Sequence, residues 1–302
     1  MTAHKTAIAP SVLRTEAEVH SVVRLSPAFV RVELASPAFV DLGVDGFDTR
    51  FKVTFPGGAG EQPAMRTYTI RDIVRAGDDV RLVVDFVVHQ DHGHGIGPAC
   101  RWALRAAPGD VVQVIAPHRL TEYGGTEFDP GERRHLLLIG DETAVPALAR
   151  ILDDLGPDFT GEVFVEVPTS ADILDLWVPP GFEVKWLPRN ELACGRRLVQ
   201  EVRRHLGLPP STEFAALPEP ARSSDLDIDI WETPRYSSAG ENVESQLCTR
   251  SVGHDLDDTY AWIAGESWMV KALRRSLVTE LGADRSQVAF MGYWREGVAM
   301  RS

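Results

Sequence analysis

Cysteine is scarce in this chain: three residues among 302, at Cys100, Cys194 and Cys248. They stand far apart and no Cys-x-x-Cys pair occurs, which excludes the close-set thiolates of a zinc ribbon or a local iron–sulfur motif. Three ordinary thiols in a reducing compartment is the reading that follows. No run approaches the roughly 20 apolar residues that cross a bilayer. The N-terminal MTAHKTAIAPSVLRTEAEV has no apolar core of signal-peptide length, so a cytoplasmic chain without membrane insertion is expected. Positive charge is in deficit too. With 31 Lys and Arg against 44 Asp and Glu the net charge is -13, which argues against nucleic acid as a partner, because phosphate binding needs a basic face. The excess is local: Pro209 to Asp258 carries 11 acidic and 3 basic residues, leaving 33 and 28 elsewhere. No nucleophile elbow with a Ser-His-Asp arrangement is recognisable, so no catalytic side chain is assigned.

What the chain does have is an ordinary globular composition, 44% hydrophobic and 25% charged, over a length that suits two domains of roughly 120 to 180 residues. From Val19 to Pro117, VVRLSPAFVRVEL, FKVTFPGG, RTYTIRD, VRLVVDFVVH and GDVVQVIAP read as strands with Gly and Pro turn signals between them. Such spacing predicts a small antiparallel barrel, interrupted by one helix from Gly97 to Ala107 that Pro108-Gly109 ends. After Gly131 the pattern changes. HLLLIGDETAVPALARILDDLG is an unbroken apolar run followed by a helix, the sign of a strand buried on both faces. EVFVEVP, FEVKWLP and TYAWIAGE are further strands, GRRLVQEVRRHLG and ESWMVKALRRSLVTELG further helices, and the alternation predicts an α/β domain. The acidic stretch reads as a long loop, except that SDLDIDIW alternates with period two and fits an edge strand.

The most telling segment is Arg66-Thr67-Tyr68-Thr69-Ile70-Arg71 on a barrel strand. A flavin held in a reactive pose needs a guanidinium for its pyrophosphate, an aromatic ring along the isoalloxazine or ribityl, and a short hydroxyl near N5. Alternation along a strand lets Arg66 and Tyr68 share a face, with Thr69 contributing from its end. Then DFVVHQDHGHGIGPACRWALRAAPGD runs strand, glycine-rich loop, helix N-terminus, a seat for a pyrophosphate through free N–H groups. His89, His92 and His94 fall within six residues in that loop. A glycine loop is a poor frame for a metal, so no metal is assigned.

Four blocks in order, RTYTIR, DFVVH to GPACRWA with its trailing PGD, LLIGDETAVPALARIL, and YAWIAGE with MGYWREG, resemble the siderophore-interacting protein family, a branch of the ferredoxin-reductase-like flavoproteins. The resemblance implies a six-stranded antiparallel FAD-binding β-barrel over residues 1–130 and a Rossmann-like parallel-sheet domain for NADH or NADPH over 131–302, with an acidic insertion at about 209–256. It puts Arg66, Thr67, Tyr68, Thr69 and Arg71 on the flavin, Asp85 and His89 near its ribityl or adenosine, and Ala99, Cys100 and Trp102 at the pyrophosphate helix. Thr143 would reach the nicotinamide side, with Gly140, Asp141, Glu142, Ala264, Gly265 and Glu266 lining the nucleotide cleft. Lys52 and Arg295 would face an anionic substrate, while Tyr293 and Trp294 either cover the flavin or anchor the C-terminus. The loop QDHGHGI and the acidic insertion depart from the family pattern.

The activity implied is reduction of a ferric siderophore in the cytoplasm by an FAD-dependent, NAD(P)H-linked oxidoreductase. Hard oxygen ligands favour Fe(III), and one added electron weakens them without hydrolysis. VPTSAD after EVFVEV lacks an Arg for a 2′-phosphate, which favours NADH and leaves NADPH open. A general flavin reductase, a ferredoxin-linked reductase and a non-enzymatic siderophore carrier are the competing readings. The chain is expected to be a monomer.

Overall fold

The structure, a computed structural model, describes residues 12–43, 46–57, 62–88, 96–121, 124–210, 231–234, 236–237 and 256–298. The chain divides into two compact units, one running to Leu25 and over Phe29–Thr126, the other taking Ser26–Ala28 and the chain from Glu127. Among the described residues no helix is long and apolar enough to cross a membrane.

The first unit holds β1 (Leu13–Arg24), β2 (Phe29–Ala35), β3 (Arg50–Phe55), β4 (Ala64–Thr69), β5 (Asp72–Ala76), β6 (Asp79–Val87), helix α1 (Pro98–Ala103) and β7 (Val111–Ala116). They form one sheet in the order β4-β3-β7-β1-β2-β6-β5, each neighbouring pair antiparallel. The sheet is curled. β3 and β6 lie four strands apart in that order, ~19 Å on a flat sheet, yet the rings of Phe55 and Phe86 meet at 5.9 Å. Inward residues at every second position, Phe51, Val53 and Phe55 on β3 and Leu82, Val84 and Phe86 on β6, fill the single core that the curl encloses.

Among the described residues seven strands stand where six were expected, and β4 and β5 remain as edges of an open sheet. The extra strand is β5, which the continuous polar–apolar run from Arg66 to Ala76 hides. Ala76 pairs with Asp79 across a two-residue loop in which Gly77 has φ 65°. A left-handed first loop residue matches the twist of the hairpin, and glycine adopts it without a Cβ penalty. Helix α1 also stops earlier than expected, at Ala103 rather than Ala107. Pro108 disfavours helical backbone at Ala107, whose N–H goes instead to Asp110 Oδ2 at 2.9 Å.

The second unit holds β8 (His135–Gly140), α2 (Val145–Asp154), β9 (Thr160–Val167), β10 (Phe182–Pro188), α3 (Arg196–His205), β11 (Trp231–Thr233), β12 (Tyr236–Ser237), β13 (Thr259–Glu266), α4 (Ser267–Arg274) and β14 (Val288–Trp294). A π-helical turn, Arg275–Glu280, extends α4. The sheet order is β10-β9-β8-β13-β14-β11-β12. β10 to β14 in that order run parallel, whereas β11 pairs antiparallel with β14 and β12 antiparallel with β11. The sheet is thus mixed rather than wholly parallel. Central β13 is buried along its whole length, as the apolar run YAWIAG within it requires, while the end strand β10 is mostly half-exposed. Most of the proposed edge strand SDLDIDIW lies outside the described residues, but its last residue, Trp231, opens β11. β14, in QVAFMGYW, is a strand the sequence reading does not anticipate.

Candidate functional site

Two clusters gather the residues singled out from the sequence, one in each unit. In the first unit β4 is an end strand paired to β3, with Val53 opposite Arg66, Lys52 opposite Thr67 and Phe51 opposite Tyr68. Cross-strand partners share a face, so Arg66 and Tyr68 lie on the inner side with Phe51 and Val53, both 0% exposed. Tyr68 joins an aromatic group: its ring stands 4.6 Å from Phe86 and 6.0 Å from Phe55, and Trp102 of α1 lies 5.1 Å from Phe55 and 5.5 Å from Phe86. Burial pushes the Tyr68 phenol above its ordinary range, the Arg66 charge drawing it back. Arg66 itself donates to the Met65 carbonyl at 2.7 Å, and Thr69 closes the strand, buried. Ala99, buried, and Cys100, half-buried, form the first turn of α1 behind Gly97.

Asp85 is placed by β6, pairing in the sheet with Arg31 of β2. Its carboxylate accepts two bonds from the Arg31 guanidinium, at 2.7 and 2.8 Å, and stands 3.9 Å from Arg71 Nε. Its two oxygens therefore hold Arg31, with Arg71 close by, and Arg31 is a member that sequence reasoning missed. Lys52 and Thr67 project to the other face of β3 and β4, exposed and away from Arg66 and Tyr68. His89, with His92 and His94, lies outside the described residues.

In the second unit, parallel strand ends deliver Gly140 from β8, Glu166 from β9, Arg189 after β10, Gly265 and Glu266 from β13, and Trp294 from β14. Asp141, wholly buried, is the hub. Oδ1 accepts from Thr143 N at 2.8 Å and Thr143 Oγ1 at 2.5 Å; Oδ2 accepts from Glu266 N at 2.7 Å and Trp294 Nε1 at 2.9 Å. One carboxylate thus ties the turn after β8 to the ends of β13 and β14. Burial pushes it up to about 7, with neighbouring Glu142 adding to the rise and the bonds from Thr143 and Trp294 opposing it. Gly265 explains itself by this packing: at φ 141° a Cβ would sit 2.6 Å from Asp141 Cγ. At Gly140 a Cβ would meet Ala144 Cβ at 2.4 Å.

Glu142, with no side-chain exposure, takes both arms of Arg189 at 2.6 Å each, and Arg189 Nη1 stands 3.8 Å from Glu166. Burial opposes the Arg189 charge, but the Glu142 carboxylate more than offsets it, so its pKa rises. Glu166 accepts from Gly195 N at 2.7 Å and Leu198 N at 3.2 Å, at the start of α3. Burial raises it above the usual carboxylate range and likewise raises the Cys194 thiol, whose sulfur is 3.9 Å from Asp141 Oδ2. Glu266 caps α4, accepting from Trp268 N at 2.6 Å and Met269 N at 3.1 Å. Tyr293 stacks on Trp231, the ring centres 6.1 Å apart. Arg295 follows β14, half-buried.

Asp141, Glu142 and Cys194 bring ligand atoms within 4.8 Å of one another. Their oxygens are engaged by Thr143, Glu266, Trp294 and Arg189, so this is a hydrogen-bonded cluster built by the chain for itself. Arg189, Glu166 and Cys194 were not singled out from the sequence. The signal for Glu166 was available: an acid flanked by valines near the end of the apolar strand EVFVEV has to find buried donors.

A family model described as siderophore-interacting protein matches residues 133–297, and one described as siderophore-interacting FAD-binding domain matches residues 57–121. Among curated relatives, an uncharacterised protein of Mycobacterium tuberculosis is 36% identical over 130 residues, 43% of this chain and 42% of the relative, so the chain spans less than half the length of that relative. The ferric vibriobactin reductase ViuB of Vibrio cholerae is 24% identical over 90% of this chain and 86% of its own. The NADPH-dependent ferric-chelate reductase of Escherichia coli is 29% identical over 61% of this chain and 75% of its own. Of solved structures, a siderophore utilization protein from T. fusca superposes with TM-score 0.68 at 28% identity, covering 96% of this chain and 95% of that one. A ferredoxin reductase in carbazole 1,9a-dioxygenase superposes with TM-score 0.59 at 17% identity, covering 95% of this chain and 71% of that one. The fold is ferredoxin-reductase-like: a curled antiparallel sheet and a second, mixed sheet.

Proposed function

Because the chain belongs to the siderophore-interacting protein family, we propose that it is an FAD-dependent oxidoreductase that draws reducing equivalents from NADH or NADPH and reduces a ferric siderophore in the cytoplasm. The observation that carries this reading is the pairing of Arg66 and Tyr68 on the inner face of β4, beside the Trp102 aromatic group, inside the stretch matched by the FAD-binding model. A cation, an aromatic surface and a terminal hydroxyl at Thr69 form a donor set that fits a flavin dinucleotide. FAD, when bound, supplies the chemistry of accepting a hydride and passing electrons on singly.

The residues of the chain hold and orient. In the first unit Arg66 is assigned to the pyrophosphate, Tyr68 to the ring or ribityl, Thr69 to the N5 edge, and Ala99, Cys100 and Trp102 to the helix side. Asp85 acts as a positioning residue, since its carboxylate fixes Arg31 and stands close to Arg71. In the second unit we assign residues 131–302 to the nicotinamide coenzyme, received at the carboxyl ends of the parallel strands, where open α/β sheets take ligands. Asp141 accepts from Thr143 and from Glu266 N, Glu142 takes Arg189, and Glu266 accepts from Trp268 N and Met269 N, while Gly140 and Gly265 allow the close packing there. Lys52 and Arg295 are assigned to the anionic ferric complex. Because Lys52 faces away from Arg66 and Tyr68, its part is tested apart from that of Arg295.

Fe(III) is the substrate. Its oxygen ligands weaken on gaining an electron, so placement and charge suffice and no acid–base side chain is required. The test is an absorbance spectrum of the purified protein followed by anaerobic titration with NADH and NADPH, and then by addition of a ferric siderophore, free flavin or ferredoxin. A yellow protein that bleaches with coenzyme and recovers fastest with the ferric siderophore is expected. A colourless protein that takes up no FAD at micromolar concentration would end the proposal.

A further inference from the structure

β10 ends the second sheet, and among the described residues no strand lies on its outer side. An exposed edge of this kind is a template for another strand, and chains protect it with charge, proline or a covering loop. Here the edge carries Phe182-Glu183-Val184-Lys185-Trp186, which reads the same in chemical type from either end: aromatic, charge, β-branched centre, opposite charge, aromatic.

We propose that β10 pairs antiparallel with β10 of a second copy of this chain, about a twofold axis at Val184. In that register Phe182 faces the partner's Trp186, Glu183 faces the partner's Lys185, and Val184 faces its own copy. A twofold contact is isologous, so each match occurs twice. Aromatic pairs and opposite charges directly across an antiparallel ladder stabilise it, and like charges there disrupt it. The register is selective: an axis at Glu183 or Lys185 would set each of those charges against its own copy.

The strand presents these groups ready for such a match. Phe182, Val184 and Trp186 share one face by alternation, all half-exposed. On the other face Lys185 Nζ lies 5.0 Å from the Phe164 ring centre and 3.8 Å from Glu183 Oε1, the two side chains 31% and 69% exposed. The cation is therefore held along the strand beside the acid, and pairing would join two such couples into a square of alternating charge. The connection leading into β10 adds exposed apolar surface at Ile173, 41%, and Trp177, 54%. In place of the monomer expected from the sequence, a symmetric dimer results, its two second sheets continuous across the axis.

The competing account makes Glu183 and Lys185 guards that keep other strands away, and mass measurement separates the two. Full-length protein, loaded with FAD, is run by sedimentation velocity from low to tens of micromolar. A species of twice the 33.3 kDa chain mass is expected. Lys185→Glu alone and Glu183→Lys alone place like charges opposite each other, and each should weaken association about tenfold or more. The double exchange Glu183→Lys with Lys185→Glu should restore it. A wild-type protein that stays monomeric overturns the proposal. So does a dimer indifferent to both single variants, or a double exchange that stays monomeric with unchanged circular dichroism and melting temperature.

Discussion

Replacing Arg189 with leucine removes the guanidinium that spans Glu142 and approaches Glu166, both wholly buried at their side chains. Glu142 loses two bonds of 2.6 Å in one step, and two carboxylates are left facing each other without the cation between them. Breaking a buried pair from one side costs about 3–5 kcal/mol, mostly the penalty of the charge left behind. For a unit of this size that corresponds to a fall in Tm on the order of 10 °C. Urea unfolding of Arg189→Leu, followed by the fluorescence of Trp262, Trp268 and Trp294 in the same unit, measures it. Adding Glu142→Leu removes the stranded charge as well, and the double variant is expected to return to within about 1 kcal/mol of wild type. Glu166 keeps its backbone donors at Gly195 and Leu198 in every arm of the cycle. A single variant that costs less than about 1 kcal/mol would refute the claim that this network holds the strand ends together.

Lys52→Ala and Arg295→Ala, made singly and together, should raise KM for an anionic ferric complex with flavin content unchanged; unchanged kinetics in the double variant would remove both from the substrate site. Asp141 is also testable through pH. Folding raises its carboxyl from 3.8 to about 7, so its contribution is fully present below pH 3.8 and is lost as pH rises through about 7, a span worth on the order of 4 kcal/mol. Asp141→Asn should therefore flatten the fall in urea midpoint expected of wild type between about pH 4 and pH 7. A parallel fall in both proteins would contradict the assignment.

The division into a strand-rich first unit and an α/β second unit is legible because hydrophobic period changes from two to continuous runs near Gly131. β5 is not legible, since nothing between Arg66 and Ala76 interrupts the strand pattern before Gly77 turns it. Tyr68 and Asp141 are readable as site candidates from their motifs, but Arg31, Glu166 and Arg189 acquire their roles from strands that meet only in the fold. The face of Lys52 could have been read directly. Phe51, Val53 and Phe55 are the inward set of one strand, and alternation sends Lys52 outward.

The 2.6 Å gap between Asp141 Cγ and the place where a side chain at residue 265 would begin makes the two positions interdependent. A relative that carries anything larger than glycine at the second must carry something shorter than aspartate at the first. Losing that carboxylate would also release the indole of Trp294, so substitutions at 141, 265 and 294 should travel as a set through descent rather than one at a time.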